Sequence, residues 1–337
     1  MNNFFFLFLI ILNLYLIINF NRASKIINLF DKPDFKRKIH KSKIACYGGL
    51  VIYINLSLLF LYLIIQKQTV ELRIYDLYNI SDLIFFYIIL TFFFLIGYAD
   101  DKFNLNPTKK LIIFLILLSV FFEFHKNINV NFLIFNLNSY YFDISLYSKY
   151  FTVFCVLIFI NAFNMYDGSN LQVALFSYSL LIYFVLKLVN LDLFLITLLI
   201  SLTTFIFLNY KNKLFLGDNG SLLLAFLISF LILKFYNNGI IKFADEVFLL
   251  LWLPVLDLLR LFVIRIINKK SPFVPDKNHL HHILLKKYKY DQTILILYAL
   301  YIFPVLFGIL LNKFVIGVFL QILLYVVIFY TSKKNDI

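Results

Sequence analysis

Charged residues are scarce in this chain: only 15% of its 337 residues are Asp, Glu, Lys or Arg, whereas 62% are hydrophobic. Its mean hydropathy is +0.89. A soluble domain of this length needs far more polar surface, so the composition indicates a polytopic membrane protein. Cysteine is scarce as well. Cys46 and Cys155 are too few for a disulfide framework, and we expect both to be inert packing residues.

The hydrophobic runs predict an all-α fold of about eleven transmembrane helices, because one span needs about 20 apolar residues. The first run lacks a preceding basic residue and a following small-residue cleavage site, so we interpret it as a retained span. Residues 128–146 alternate loosely and predict a short exposed hairpin. No internal repeat or separate soluble domain is visible, so residues 1–337 are predicted to form one integral membrane domain. The predicted spans cover residues 4–20, 44–65, 83–98, 109–125, 150–164, 170–189, 191–208, 219–236, 246–264, 293–311 and 313–331.

The net charge of +13 is distributed unevenly among the loops. With eleven spans, 22 of the 31 Lys and Arg residues fall on one side of the membrane. The positive-inside rule makes that side cytoplasmic, with the N-terminus outside and the C-terminus inside. The charge therefore indicates membrane orientation rather than nucleic-acid binding. The predicted cytoplasmic loops lie near residues 21–43, 99–108, 165–169, 209–218 and 265–292.

Two acidic clusters at these loops are candidates for phosphate chemistry. Asp100 and Asp101 are adjacent carboxylates that a cation or basic partner must relieve, so they are suited to hold Mg²⁺ or to accept a proton. A solvated loop is the alternative. Asp218 lies in Gly-Asp-Asn-Gly-Ser at 217–221, where a helix N-terminus favours phosphate and a carboxylate favours a hard metal. Helix capping by Asp218 or Ser221 is the alternative there.

Amide and imidazole groups form two further clusters. Asn161 and Asn164 lie one helical turn apart, so both amides face the same way, toward a nucleotide or diphosphate or toward a neighbouring helix. His-x-His-His at 279–282 favours phosphate binding over zinc, because no cysteine or glutamate lies near it.

Residues 278–290 predict an interfacial helix with apolar residues toward the bilayer and lysines at the headgroups. A basic anchor for anionic lipid is the alternative for the lysines. Asp257 and Arg260, three residues apart in one span, are expected to pair for structural reasons.

Together these motifs resemble the polyprenyl-phosphate N-acetylhexosamine-1-phosphate transferase family, glycosyltransferase family 4, which begins bacterial glycan assembly on a lipid carrier. The resemblance covers almost the whole chain, including span count, orientation and motif order. It rests on Gly-Tyr-Ala-Asp-Asp at 97–101, Asn-Ala-Phe-Asn-Met-Tyr-Asp-Gly at 161–168, the polar stretch 209–213, Phe-Leu-Gly-Asp-Asn-Gly-Ser at 215–221 and the histidine cluster. Each motif is moderately specific alone, whereas five in order are very specific.

The resemblance implies a reaction in which a UDP-sugar gives its sugar 1-phosphate to undecaprenyl phosphate and releases UMP. It implies Mg²⁺, with Mn²⁺ as a substitute, and an active site on the cytoplasmic face of the bacterial inner membrane. The bilayer and the two substrates are the implied partners, and a homodimer is allowed but not required. We expect direct attack by the lipid phosphate, with a covalent aspartyl intermediate left open.

The resemblance also assigns roles to residues. Asp218 is the main metal ligand with Asn164 close to the metal, and Asp100 and Asp101 are catalytic residues that deprotonate or position the lipid phosphate. The implied substrate-binding residues are Asn161, Asp167, Asn209, Lys110, Arg265, His279, His281 and His282.

The last loop separates two branches of the family. The branch that uses UDP-MurNAc-pentapeptide carries three consecutive histidines, whereas here Ser-Pro-Phe-Val-Pro-Asp at 271–276 precedes His-x-His-His, which is similar to the UDP-GlcNAc branch. We therefore expect transfer of N-acetylglucosamine 1-phosphate at the start of a cell-surface glycan such as O-antigen or teichoic acid. MurNAc-pentapeptide transfer is the alternative. Asn170 and Leu171 stand where many members have Asp and Gly, which leaves the sugar open.

A membrane transporter or lipid flippase is the distant alternative. Such a protein would place its polar groups near the membrane midplane, often in broken helices and repeated halves. In this chain they cluster at one predicted interface, and no repeat is visible.

Overall fold

A computed structural model describes residues 2–31, 42–66, 79–136, 140–188, 192–271 and 278–333 of the chain. Within these residues the protein is built almost entirely of helices. The helices are α1 (Asn2–Ile18), α2 (Phe20–Ile27), α3 (Gly48–Gln66), α4 (Ile80–Phe103), α5 (Pro107–Phe124), α6 (Ser148–Tyr166), α7 (Gln172–Lys187), α8 (Leu193–Tyr210), α9 (Asp218–Asn237), α10 (Ala244–Ile267), α11 (Leu280–Lys287), α12 (Tyr290–Leu310) and α13 (Phe314–Lys333). The short strands are β1 (Phe30–Asp31), β2 (Ile44–Ala45), β3 (Phe132–Ile134) and β4 (Tyr141–Asp143).

The predicted all-α membrane architecture is confirmed. Each of the eleven predicted spans coincides with one helix, and α2 and α11 are the two helices outside them. In the described part of the chain, eight helices are long and apolar enough to cross a membrane. The number becomes nine if α1 and α2, which meet at a bend of 78°, form one broken span. The full count of eleven and the orientation remain predictions.

The helix ends follow from residues that suit them. Asn79 and Asp82 form a capping box at the start of α4, which satisfies backbone N–H groups that the first helical turn leaves open. Asn104 ends α4 in the left-handed conformation, with φ 51°. Asn312, in the turn between α12 and α13, has the same conformation and the same φ. Asparagine is the residue besides glycine that adopts this conformation most readily.

The helices fall into two compact units. The first unit comprises Met1–Ile113 and Val173–Lys234. In it α8 packs against α1 and α3, and α3 packs against α4. A reciprocal amide pair, Asn13 and Asn55, joins α1 to α3 with Nδ2–Oδ1 distances of 2.7 and 3.2 Å. Phe93 of α4 stacks on Phe226 of α9 with ring centroids 4.6 Å apart.

The second unit comprises Phe114–Gln172 and Phe235–Ile337. Here α10 packs against α6, α12 and α13, and the short α11 packs against α12 and α13. β3 and β4 pair antiparallel with Leu133 opposite Phe142, and their side chains are largely exposed. This pair confirms the short exposed hairpin predicted for residues 128–146.

Candidate functional site

Asp100, Lys110 and Asp218 form a charged cluster in the first unit. Lys110 Nζ contacts Asp100 Oδ2 in a hydrogen-bonded ion pair and lies 3.4 Å from Asp218 Oδ2. The carboxylates of Asp100 and Asp218 also interact directly. The Asp218 side chain is 34% exposed, against 9% for Asp100, so Asp218 is the carboxylate of the two that a ligand from solvent reaches.

Asp101 lies beside this cluster and caps helix α9. Its Oδ1 accepts the backbone N–H of Asp218 at 2.9 Å, and its Oδ2 accepts that of Asn219 at 3.0 Å. The Asn219 amide donates to the same Oδ2, and Cys46 Sγ lies 3.9 Å from Oδ1. A carboxylate at a helix N-terminus satisfies open N–H groups and meets the positive end of the helix dipole. The geometry therefore suits Asp101 to holding Asp218 in place, and Cys46 is a neighbour of the site.

Two glycines allow this arrangement. A Cβ on Gly97 of α4 would lie 2.3 Å from the Asp218 carbonyl oxygen, so α4 and α9 meet backbone to backbone just before the aspartate pair. Gly217 has φ +74°, a conformation that side chains rarely adopt, and turns the chain into α9. Both glycines belong to the motifs that suggested the site.

Asn209 lies in the first unit but bonds to its own loop. Its side-chain amide donates to the Leu214 carbonyl at 2.7 Å and closes the turn that follows α8. From there Phe215 N donates to the Ala45 carbonyl at 2.8 Å, and Gly48 N donates to the Phe215 carbonyl at 2.9 Å. Buried Asn209 therefore shapes the loop that leads to Asp218.

The charged cluster fits a divalent cation. Asp100, Asp101 and Asp218 carry three formal negative charges, of which Lys110 neutralises one. Among the described residues, no three His, Cys, Asp or Glu side chains are arranged to hold a metal by themselves. Mg²⁺ commonly takes one or two carboxylates and completes its shell with waters and substrate phosphates. Asp218, with Asp100 beside it, offers the donor set for such an ion.

The capping geometry predicts the effect of Asp101→Asn. The asparagine NH₂ group would face a backbone N–H of α9, so we expect a loss of about 1–3 kcal/mol in stability. Displacement of Asp218 is expected to lower kcat about 100-fold. The kcat–pH profile of the variant separates capping from proton transfer. If Asp101 only caps α9, the profile keeps its shape at a lower rate. Loss of the acidic limb of the profile would identify Asp101 as the base. Cys46→Ala is the mild control.

Three histidine rings form a second cluster, in the second unit. The ring centroids of His281 and His282 lie 4.2 Å apart, and those of His279 and His281 lie 5.5 Å apart. A Cβ on Gly168 would lie 2.0 Å from the His281 ring, so the end of the 161–168 motif packs directly against that imidazole. The structure thus brings the central motif and the histidine motif together.

His281 is a buried, neutral imidazole. Burial, together with the neighbouring His282 and His279, lowers the pKa of His281 to about 3. It is 2% exposed, and its Nε2 has no hydrogen-bond partner among the described residues. A buried ring nitrogen without a partner is costly, so this atom is a candidate contact for a bound ligand.

Asp257 anchors the histidine cluster. The sequence did not predict this role of Asp257. Its Oδ2 lies 2.9 Å from His279 Nδ1. Its Oδ1 accepts hydrogen bonds from Arg260 Nη2 at 2.9 Å and from the Tyr325 hydroxyl. The predicted Asp257–Arg260 pair is confirmed, but its interpretation as mainly structural missed the bond to His279. The signal was a carboxylate inside a span, which is rare without a functional partner. No sequence spacing pointed to Tyr325.

The remaining predicted residues also lie in the second unit. Asn161 and Asn164 are half-buried on α6, where the Asn161 amide donates to the Leu157 carbonyl at 2.8 Å. Asp167 ends α6 and is half-buried. Arg265 is buried in the last turn of α10. Residues 272–277, which carry most of the stretch that separates the two branches, lie outside the described residues.

Leu171 has a backbone that suits glycine. Its φ is +65°, in the left-handed region that disfavours a side chain by about 1–2 kcal/mol. Its neighbour Asn170 accepts a hydrogen bond from Tyr290 on its carbonyl at 2.8 Å, which holds the turn. The turn therefore has a conformation that a glycine would adopt without strain, although this chain has leucine there.

A helix is confirmed within residues 278–290, but its predicted packing is wrong. α11 spans only Leu280–Lys287 of the predicted range. Leu280, Ile283 and Leu284, however, are buried within the protein rather than directed to the bilayer. α12 and α13 flank this short helix and cover its apolar face.

Comparisons with known proteins found similar sequences. The family model described as glycosyl transferase family 4 matches residues 83–236. That range contains Asp100, Asp101 and Asp218, but not the histidine motif. The chain is 28% identical over 313 residues to an undecaprenyl-phosphate alpha-N-acetylglucosaminyl 1-phosphate transferase of Thermotoga maritima, covering 91% of this chain and 90% of the relative.

Enterobacterial relatives with the same name are similar over a shorter range. Identity is 25% over 276 residues to the protein of Escherichia coli K12, covering 79% of this chain and 71% of the relative. It is also 25% over 271 residues to that of Salmonella typhi, covering 77% and 70%. By these similarities the chain is a transferase, and it is similar to the proteins of glycosyl transferase family 4.

Proposed function

We propose that this protein transfers N-acetylglucosamine 1-phosphate from UDP-N-acetylglucosamine to undecaprenyl phosphate. The products are undecaprenyl diphosphate N-acetylglucosamine and UMP. The observation that carries the proposal is the Asp100–Lys110–Asp218 cluster at the start of α9, in a chain similar to proteins named for this reaction. Such a product would begin a cell-surface glycan on the cytoplasmic face of a bacterial inner membrane.

In this reaction an oxygen of the lipid phosphate attacks the sugar-bearing phosphorus of the donor. A new P–O bond forms, the P–O bond to the UMP moiety breaks, and UMP leaves with the electron pair. The protein contributes by positioning and by neutralising charge, as in phosphoryl transfer generally. Mg²⁺, held by Asp218, would neutralise charge on the diphosphate.

The aspartates favour direct attack over an aspartyl intermediate. Asp101 accepts two backbone N–H groups and one side-chain amide, so it could act as a nucleophile only by releasing the start of α9. Asp100 is paired with Lys110 and is 9% exposed. In the proposed mechanism Asp100 and Lys110 orient the acceptor phosphate, and Asp100 takes a proton where that phosphate carries one.

The second unit supplies groups suited to the donor. The unpartnered His281 Nε2 accepts or donates one hydrogen bond to it, and His279, fixed by Asp257, contacts its diphosphate. His282 and Arg265 contribute further phosphate contacts, and Asn161 and Asp167 contact the nucleotide.

A donor panel tests the function. Purified protein in detergent with Mg²⁺ and undecaprenyl phosphate is expected to release UMP from UDP-N-acetylglucosamine and to release none without the lipid. No release is expected from UDP-MurNAc-pentapeptide. Release from the pentapeptide donor alone would preserve the reaction type and overturn the choice of sugar. No release from any UDP-sugar by folded protein would overturn the transfer reaction. Chelation of Mg²⁺ is expected to abolish release, and Mn²⁺ to restore it.

A further inference from the structure

A groove of about 330 Å³ lies between α11, α12 and α13, within the second unit. Its wall is apolar over most of its length, with Ile296, Ala299 and Phe303 on α12 and Leu324 and Ile328 on α13. From Leu324 to Ser332 the α13 wall extends eight residues, which corresponds to about 12 Å along a helix. A groove of this length takes part of one extended hydrocarbon chain.

One end of the groove is polar. Tyr288, Thr331 and Ser332 line it where α12 begins and α13 ends. Ser332 is 5% exposed, and its hydroxyl has no hydrogen-bond partner among the described residues. A buried hydroxyl is normally bonded, since leaving it unpaired forfeits the hydration it has in water. This hydroxyl therefore indicates a polar ligand atom at the end of an apolar groove.

Lysines surround the same end. Tyr288 stands between Lys287 and Lys289, and Lys333 follows Ser332. All three lysines are exposed, and Lys287 Nζ reaches the Thr331 carbonyl at 3.0 Å. Lys286 adds a fourth cation, and Asp291 is the acidic residue at the start of α12. Clustered lysines beside a span attract anionic lipid headgroups.

We propose that this groove binds one anionic phospholipid of the surrounding membrane. One acyl chain lies along the apolar wall, and the headgroup phosphate accepts hydrogen bonds from Ser332, Lys287 and Lys333. The site is separate from the chemistry proposed for Asp218. It has a consequence for that chemistry, because α11 also carries His281 and His282, and a lipid packed against α11 would hold this helix in place.

Filling the groove tests the proposal without any assay of activity. Native mass spectrometry of the purified full chain, titrated with phosphatidylglycerol or phosphatidylcholine, measures binding directly. We expect phosphatidylglycerol to bind at least tenfold more tightly, and Ala299→Trp, which fills the groove, to remove most of that binding. Leu295→Trp is the matched control, since Leu295 lies on the same helix, is 68% exposed and does not line the groove.

Charge variants test the headgroup contact. The pair Lys287→Gln and Lys333→Gln is expected to reduce the preference for phosphatidylglycerol about tenfold. The control is the double variant Lys242→Gln and Lys313→Gln, which should leave the preference for phosphatidylglycerol unchanged. Both lysines are exposed and lie just before the first residues of α10 and α13. Equal binding by the Ala299 and Leu295 variants, or equal binding of both phospholipids, would overturn the proposal. Displacement of phosphatidylglycerol by equimolar undecaprenyl phosphate would assign the groove to the acceptor instead.

Discussion

Replacing Asp218 with asparagine is expected to lower the turnover number about a thousandfold and to leave the protein folded. The side chain keeps its shape but loses the negative charge that a divalent cation requires. The fold should survive because the backbone N–H of residue 218, not its carboxylate, bonds to Asp101. The substitution removes the repulsion of Asp218 by Asp100 and Asp101, which offsets the loss of its attraction to Lys110. UMP release and the thermal unfolding midpoint measure the two effects separately.

The expected signature of Asp218→Asn is therefore low activity with an unchanged or raised midpoint, and no rescue by added Mg²⁺. Asp82→Asn is the matched control. Asp82 lies at the other end of α4, in the capping box with Asn79, so its replacement should cost stability and leave turnover near wild type. Wild-type turnover by purified Asp218→Asn protein would exclude Asp218 as the metal ligand.

Asp257→Asn is expected to raise the KM for the UDP-sugar about 10- to 100-fold and to destabilise the protein. The bond to His279 would lose its charge, and Arg260 would be left with an uncompensated charge inside a span. Removing one partner of a buried ion pair costs about 3–5 kcal/mol. Steady-state kinetics at a temperature well below the unfolding midpoint measure the functional part of the effect.

A double-mutant cycle with His279→Ala separates positioning from general damage. If Asp257 acts through His279, the increase in KM caused by Asp257→Asn should largely disappear in the His279→Ala background. Additive effects on KM would contradict a positioning role. Tyr325→Phe provides a milder variant: it removes the hydroxyl that donates to Asp257 but keeps the carboxylate, so we expect only a few-fold increase in KM.

Local features of the sequence were sufficient to select the candidate residues of the site. Asp100, Asp101 and Asp218 stood out because charge is rare in this chain and costly near a membrane. The division of roles was not predictable. Asp101 caps α9 through contacts with Asp218 and Asn219, which follow it by 117 and 118 positions in the chain. No local sequence pattern encodes contacts over such a separation.

Sequence reasoning was least informative where side chains from several helices meet. Asp257 bonds to His279 and Tyr325, which follow it by 22 and 68 positions in the chain. The packing of His281 on Gly168 joins two motifs that their spacing in the sequence leaves unrelated. The prediction that the apolar face of α11 contacts lipid was wrong, because helical periodicity indicates that a face is buried but not what covers it.

The sequence by itself determined the membrane environment, the position of all eleven predicted helices and the motifs of the site, because hydrophobic runs of spanning length admit little besides helices. Tertiary structure alone decided which carboxylate caps a helix, which one is open to a ligand, and which side chains hold the histidines. These properties depend on the packing of distant segments, where hydrogen-bond partners and exposure are set by three-dimensional neighbours rather than by position along the chain.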